Sequence, residues 1–358
     1  MSVPRDGASA AIPDAHAEIA ARERQRQLTK PPGSLGRLED LACWFAARLR
    51  DPIPGIPAAE VFVFAADHGV AARSVSAFPQ AVTAQMVANF ARGGAAINVL
   101  TSFADCRLEV VDVGTVRNDA LPRGVRDERI RAGTADLSVM AAMTVDEARA
   151  ALAVGERCAC EAIGRGARLL IAGEMGIANT TAAACLICAL TDAPAESVVG
   201  RGTGIDDDAL ARKRDIVRRA LARVRRQPPP SALELLAELG GLEIAAMCGF
   251  YLEAARRGVP VLLDGYVSAA AALVAVAIDA GVREWMLAAH RSAEPGHVVA
   301  LEALGLRALL DLGMRLGEGS GAVLALPIVY AALALHREMA TFDEAGVADA
   351  TSAQTRAP

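Results

Sequence analysis

Aromatic side chains are scarce. Phe, Trp and Tyr together make up 4% of the 358 residues, although 53% of the chain is hydrophobic. That shortage excludes a core of stacked rings and predicts one built from Ala, Val, Leu and Ile, which suits helices laid closely on a sheet. Cysteine offers no scaffold either. The seven thiols are scattered and odd in number, and the one close pair, Cys185-x-x-Cys188, lies inside the apolar helical run 182–190 with no second pair at zinc-finger spacing. Buried thiols in a reducing compartment are expected, and no metal site. A net charge of −5 gives no extended cationic surface for nucleic acid or an anionic membrane, yet leaves room for a small anion held locally. The N-terminus is polar and lacks the apolar stretch of a signal peptide. The longest apolar runs, 266–278 and 322–335, fall short of a membrane span. A soluble cytoplasmic protein is expected.

What is present is a repeating pattern. Val61-Phe-Val-Phe-Ala65, Leu108-Glu-Val-Val-Asp-Val113, Arg168-Leu-Leu-Ile-Ala172, Val259-Pro-Val-Leu-Leu263 and Trp285-Met-Leu-Ala-Ala289 read as short strands. Helical patterning follows them, including 80–92, 144–163 with its Thr144-x-x-Glu147 capping box, and 180–190. Strands alternating with helices, each nearly apolar throughout, predict an α/β fold: a doubly wound, mostly parallel sheet covered on both faces. Helices are also expected at 14–28, capped by Asp14, at 37–50, at 206–226, across 231–257 and at 322–339. The N-terminal helices and the last helix have no strands between them and suit a small helical domain. The boundaries expected are a large α/β domain at 58–320, a small helical domain of 1–57 plus 321–343, and a disordered tail at 344–358.

In such sheets ligands bind outside the carboxyl ends of the strands, so the strand ends carry the candidate chemistry. Asp67-His68 reads equally as a catalytic or metal-binding pair and as a strand-end turn with the acid capping backbone amides. Ser76-Ala-Phe-Pro-Gln80 suits a pocket wall or an ordinary loop. Gly173-Glu-Met-Gly-Ile-Ala-Asn-Thr-Thr181 joins a strand to a helix and can offer amides to an anion, with the acid Glu174 beside it. Val199-Gly-Arg-Gly-Thr-Gly204 matches neither a Walker A loop nor a dinucleotide fingerprint and supports only an anion-compatible loop. Gly317-Glu-Gly-Ser-Gly321 isolates one carboxylate, Glu318, among glycines. Its plain reading is the first turn of a helix, where an acid is favoured by the dipole. No G-x-S-x-G elbow and no H-E-x-x-H is present, which lowers the weight of nucleophilic hydrolysis and of metal catalysis.

Six of these stretches, in this order, resemble the nicotinate-nucleotide–dimethylbenzimidazole phosphoribosyltransferase family. They are Lys30-Pro-Pro-Gly-Ser-Leu-Gly-Arg-Leu-Glu39, Ala66-Asp-His-Gly69, the 173–181 block, Leu262-Leu-Asp-Gly265, Ser292-Ala-Glu294 and Met314-Arg-Leu-Gly-Glu-Gly-Ser-Gly321. The resemblance implies a homodimer with a Rossmann-like large domain and a small helical domain. It implies that ribose 5-phosphate moves from nicotinate mononucleotide to a ring nitrogen of 5,6-dimethylbenzimidazole or a related base, giving α-ribazole 5′-phosphate and nicotinate in cobalamin nucleotide-loop synthesis. It assigns Glu318 as general base, with Glu174 as a second catalytic acid group. Gly176, Gly202, Thr203, Gly204, Lys213, Asp264 and Ser292 would bind the mononucleotide. A flat apolar acceptor needs an apolar slot, for which Phe78, Pro79, Met86, Met175 and Leu316 are the candidates. Such chemistry requires no metal, cofactor or covalent nucleophile. The partners expected are these small molecules alone, with the identity of the base left open.

Overall fold

The computed structural model describes residues 9–117 and 120–348. The described chain forms two compact units, one of residues 9–11 with 58–325, the other of residues 12–57 with 326–348. The larger unit is built on six parallel strands: β1 (Ala59–Ala66), β2 (Arg107–Gly114), β3 (Val125–Asp127), β4 (Leu169–Met175), β5 (Val261–Leu263) and β6 (Met286–Ala288). Their spatial order is β3-β2-β1-β4-β5-β6, the doubly wound order that reverses direction beside β1. Central strand β1 is buried from Glu60 to Ala66, as both faces are covered. Five strands match the apolar runs. The sixth, β3, escapes the pattern because Val-Arg-Asp is three residues long and mostly polar.

Small residues set the packing. The helices Val145–Gly164 and Leu242–Arg256 cross so closely that a Cβ on Gly155 would stand 1.7 Å from the Ala246 carbonyl oxygen. One on Gly249 would stand 2.0 Å from the Leu152 carbonyl oxygen. Backbones can meet this way only where side chains are absent, which is how a chain poor in aromatics still fills its core. The few rings concentrate where the sheet meets this layer, Phe250 packing on Phe62 and Phe64 with centroids 5.2 and 5.8 Å apart.

Capping fixes the helix starts. Thr144 and Glu147 form the expected box, and Asp206 accepts from Ala209 N–H, contacts each worth about 1 kcal/mol. The stretch 231–257 divides at Gly240-Gly241 into the helices Ala232–Leu239 and Leu242–Arg256. Cys158, Cys185, Cys188 and Cys248 are buried free thiols, and burial pushes the Cys188 thiol up to about 12.

The smaller unit holds the helices Ala15–Gln27, with Asp14 as its cap, and Arg37–Leu49. Lys30, from the Pro-Pro-Gly turn between them, is buried and pairs with Glu39 at 2.9 Å. The run 322–335 lies within a longer helix, Ser320–Glu338. At 19 residues it is long and apolar enough to cross a membrane, but a little over half of it is buried inside the protein, as in a core helix. The tail expected to be disordered from Glu344 instead begins with a helical turn, Phe342–Ala345, because Thr341 and Glu344 cap it reciprocally. The rest of that expectation, 349–358, lies outside the described residues.

Candidate active site

At the carboxyl edge of the sheet the larger unit encloses a cavity of about 430 Å³. The loops after β1, β4, β5 and β6 contribute to it, as does the loop preceding Ser320. Glu318, Glu174, Phe78, Met86, Met175, Leu316, Gly176, Gly202, Thr203, Asp264 and Ser292 all line it. Sequence positions from 78 to 318 thus meet in one place.

Glu318 sits outside the helix, not in its first turn. Gly317, Glu318 and Gly319 have φ of 92°, 64° and 85°, three successive left-handed residues, a run that a non-glycine residue joins only under constraint. The constraint comes from both neighbours. Asp264, at the end of β5, accepts from Gly319 N–H at 3.2 Å and Ala322 N–H at 3.0 Å, capping the helix Ser320–Glu338 from a distant strand. On the other side the loop lies against β4, where a Cβ on Gly173 would stand 2.2 Å from the Glu318 carbonyl carbon. Glu318 is only 5% exposed. Its Oε2 accepts from the Ile97 N–H at 3.3 Å. Burial raises the Glu318 pKa above the ordinary carboxylate range, the Ile97 amide opposes this, and the Asp264 charge adds to it.

Glu174 lines the same cavity from the end of β4 and accepts a short hydrogen bond from the Asn179 side chain. Burial, then the charges of Glu243 and Asp264, push its carboxyl up to about 8. At neutral pH it therefore carries a proton. Burial thus acts on Glu318 and Glu174 in the same direction, carrying Glu174 up to about 8.

A polar cluster occupies another part of the lining. Thr203 Oγ1 accepts from Ala77 N–H at 2.9 Å and lies 3.1 Å from Ser76 Oγ, tying two loops together. Arg315 donates to the Gly202 carbonyl at 2.6 Å, and Gly202 N–H donates to Glu294 at 2.8 Å. Ser292 N–H donates to His297 Nδ1 at 2.8 Å, which requires that nitrogen unprotonated. Burial, with His290 nearby, lowers the His297 pKa to about 3 and keeps it so.

Three expected residues stand off the cavity lining. Pro79 is exposed, and its carbonyl accepts from Val82 N–H where the next helix begins. Gly204 closes a turn, donating to the Arg201 carbonyl. Lys213 is 1% exposed beneath the loop, its amine donating to Thr180 Oγ1 at 2.8 Å and the Gly200 carbonyl at 3.2 Å. Burial lowers its pKa to about 8, opposed by Glu294.

The Asp67-His68 alternative resolves toward structure. Asp67 accepts from Val116 N–H at 2.7 Å, and His68 Nε2 lies 2.7 Å from Glu243 Oε1 with both side chains fully buried. Burial alone would lower the His68 pKa, but the Glu243 charge and hydrogen bond raise it. Neither Asp67 nor His68 lines the cavity, and no cluster of three metal-binding groups exists among the described residues. Sequence reasoning overlooked Glu243 and the Ile97 amide, and it quoted Asn179 and Arg315 within their blocks without giving them a place in the site. The lone acid in the apolar stretch 242–252 was a usable signal for Glu243. A backbone amide leaves none.

With this geometry in place, the chain's relatives are informative. A family model described as phosphoribosyltransferase matches residues 10–347. The nicotinate-nucleotide–dimethylbenzimidazole phosphoribosyltransferase of Chromobacterium violaceum is 57% identical over 334 residues, covering 93% of this chain and 96% of the relative. The protein of the same name from Pseudomonas aeruginosa is 51% identical over 332 residues, covering 92% and 93%. The crystal structure of CobT from Thermus thermophilus is similar with a TM-score of 0.90 at 51% identity, covering 93% of this chain and 99% of that one. A Thermus thermophilus structure bearing the full enzyme name matches with a TM-score of 0.89. Matches of this extent, on a six-stranded parallel sheet of the same fold, settle the family. The chain belongs to the nicotinate-nucleotide–dimethylbenzimidazole phosphoribosyltransferases.

Proposed function

We propose that the chain transfers ribose 5-phosphate from nicotinate mononucleotide to a ring nitrogen of 5,6-dimethylbenzimidazole or a related lower-ligand base of cobalamin. The observation that carries this reading is one cavity lined by the carboxylate Glu318, by apolar side chains and by a polar loop cluster. The bond from the anomeric carbon to the nicotinate nitrogen breaks and its electron pair leaves with nicotinate. A benzimidazole nitrogen forms the new bond on the opposite face, giving the α-anomer. The acceptor's other nitrogen loses its proton to Glu318. A positioned base of this kind contributes about 10²–10⁴ in rate, and holding two reactants together contributes much of the rest.

Glu174, protonated below about pH 8, offers a hydrogen bond to the mononucleotide in place of a second negative charge beside Glu318. Phe78, Met86, Met175 and Leu316 suit the flat acceptor, since apolar walls with a few polar anchors are what small-molecule sites require. Gly202, Thr203 and Ser292 suit the mononucleotide, with Arg315 and the deeper Lys213 supplying positive charge to its phosphate. Asp264 serves by fixing the Glu318 loop through its two amide contacts.

We also propose a homodimer in the cytoplasm. Val99 and Phe103, four residues apart on the helix Ala96–Phe103, are 64% and 76% exposed and support an interface there. Sedimentation of the native chain beside Phe103→Glu should give dimer and monomer respectively, and a native monomer contradicts the assembly. For the reaction, the chain is incubated with nicotinate mononucleotide and 5,6-dimethylbenzimidazole and the products are separated. The expected result is α-ribazole 5′-phosphate with one nicotinate released per product. Binding of both substrates without turnover overturns the reading. Competition among benzimidazoles, purines and phenols then identifies the preferred acceptor.

A further inference from the structure

The helix Ala96–Phe103 begins at the cavity carboxylate. Ile97, its second residue, has an N–H with no partner inside the helix, as in every first turn, and it donates to Glu318 Oε2. The start of this helix is held from two directions by one side chain. Asn98 Oδ1 accepts from Ala95 N–H at 3.1 Å, and Asn98 Nδ2 donates to the Phe90 carbonyl at 3.1 Å. Phe90 lies in the last turn of the preceding helix, Val82–Arg92, which carries the cavity residue Met86. Ile97 itself is fully buried, and its carbonyl accepts from Thr101 Oγ1 at 2.8 Å. The amide is therefore a fixed donor.

We propose that the amino end of the helix Ala96–Phe103, through the Ile97 N–H, is a positioning element that orients the Glu318 carboxylate and holds it in its charged form. The inference rests on the reading of Glu318 as the base. A hydrogen bond to one carboxylate oxygen fixes the plane of the group and leaves its other oxygen for the proton of the acceptor. The positive end of the helix dipole favours the ionised state. The other titratable or charged groups in the lining with Glu318 are Asp264, Tyr266, His290 and Glu294 from the segments after β5 and β6, Glu174 from β4, and Arg315 from its own loop. Asp264 acts against ionisation. The Ile97 amide is the contact that acts for it.

Three variants test this against the native chain, with kcat/KM measured across pH. Ile97→Pro removes the N–H at a first-turn position where proline is tolerated. Ile97→Ala removes side-chain packing but keeps the N–H. Asn98→Ala loosens the clamp. Ile97→Pro should move the acid limb upward by about half to one pH unit, the effect of one amide on a carboxylate, with a several-fold loss near neutrality that higher pH restores. Ile97→Ala should leave the limb in place. Asn98→Ala should shift it in the same direction by less, and decides the matter should Ile97→Pro fail to fold. An acid limb unmoved in Asn98→Ala and in folded Ile97→Pro, or moved equally in Ile97→Ala, overturns the inference. Glu318→Gln separates this from the underlying reading: an active Glu318→Gln chain removes the base itself, whereas an inactive one with unmoved Ile97→Pro and Asn98→Ala profiles removes only the role of the helix.

Discussion

Two acids stand close to glycine in the chain at the carboxyl edge of the same sheet and have opposite fates. Asp67 follows β1, and its neighbour His68 turns inward to a fully buried ion pair with Glu243. Glu318 lies in a loop of three left-handed residues and keeps its carboxyl in the cavity lining. The Asp67 carboxylate is taken up by the Val116 N–H, within contacts that tie β1 to the chain after β2. The Glu318 carboxylate likewise has one amide partner, the Ile97 N–H, while its own N–H donates to the Glu174 carbonyl and the adjoining loop is held by Asp264 and by close approach to Gly173. What separates the two acids is place: Asp67 stands off the cavity, whereas Glu318 stands in its lining.

That contrast can be broken from its structural side first. Glu243→Ala leaves His68 buried without its partner, and loss of one member of a buried pair costs roughly 3–5 kcal/mol. Chemical denaturation should show that loss, while the folded fraction keeps its acceptor preference. A variant of native stability would mean that the pair is not the strut described.

A smaller effect is expected on the Glu318 side. Gly173→Ala drives a Cβ into the Glu318–Gly319 peptide, and overpacking of this kind costs roughly 1–3 kcal/mol. Here kcat should fall more than stability, because the displaced backbone carries the carboxylate proposed as the base. Loss of stability with kcat intact would separate the loop from catalysis.

A third effect, one that depends on pH, concerns Glu174. Its carboxyl is raised from 4.5 to about 8 in the fold, so between those values the folded state binds more protons than the unfolded one. Stability is then highest below the lower value and declines as pH rises toward 8. Glu174→Gln removes that contribution, and its stability curve should fall less steeply over the window than that of the native chain. Parallel curves would place Glu174 in an ordinary solvated setting.

Much of the fold was legible because it follows local rules. Five strands showed as apolar runs, and Asp14, Thr144 and Asp206 marked helix starts through short-range capping. The short polar strand β3 carried no such signal. The site was legible as a set of strand-end blocks, since glycine and acid at strand ends are visible in sequence. What could not be read was pairing across the chain: His68 with Glu243, Asp264 with the amides of Gly319 and Ala322, Ile97 with Glu318. Lys213 illustrates the limit. The resemblance made it a mononucleotide ligand, and no local pattern showed that the fold buries it beneath the loop. Periodicity says which face of a helix turns inward. It does not say which residue from another element is waiting there.

The most direct test compares single-turnover rates of Glu318→Gln and Asp67→Asn with nicotinate mononucleotide and 5,6-dimethylbenzimidazole bound. The account predicts that Glu318→Gln still binds the base but slows the chemical step by roughly 10²–10⁴, while folded Asp67→Asn stays within a few-fold of the native rate. Near-native turnover in Glu318→Gln, or an equal collapse in folded Asp67→Asn, would contradict it.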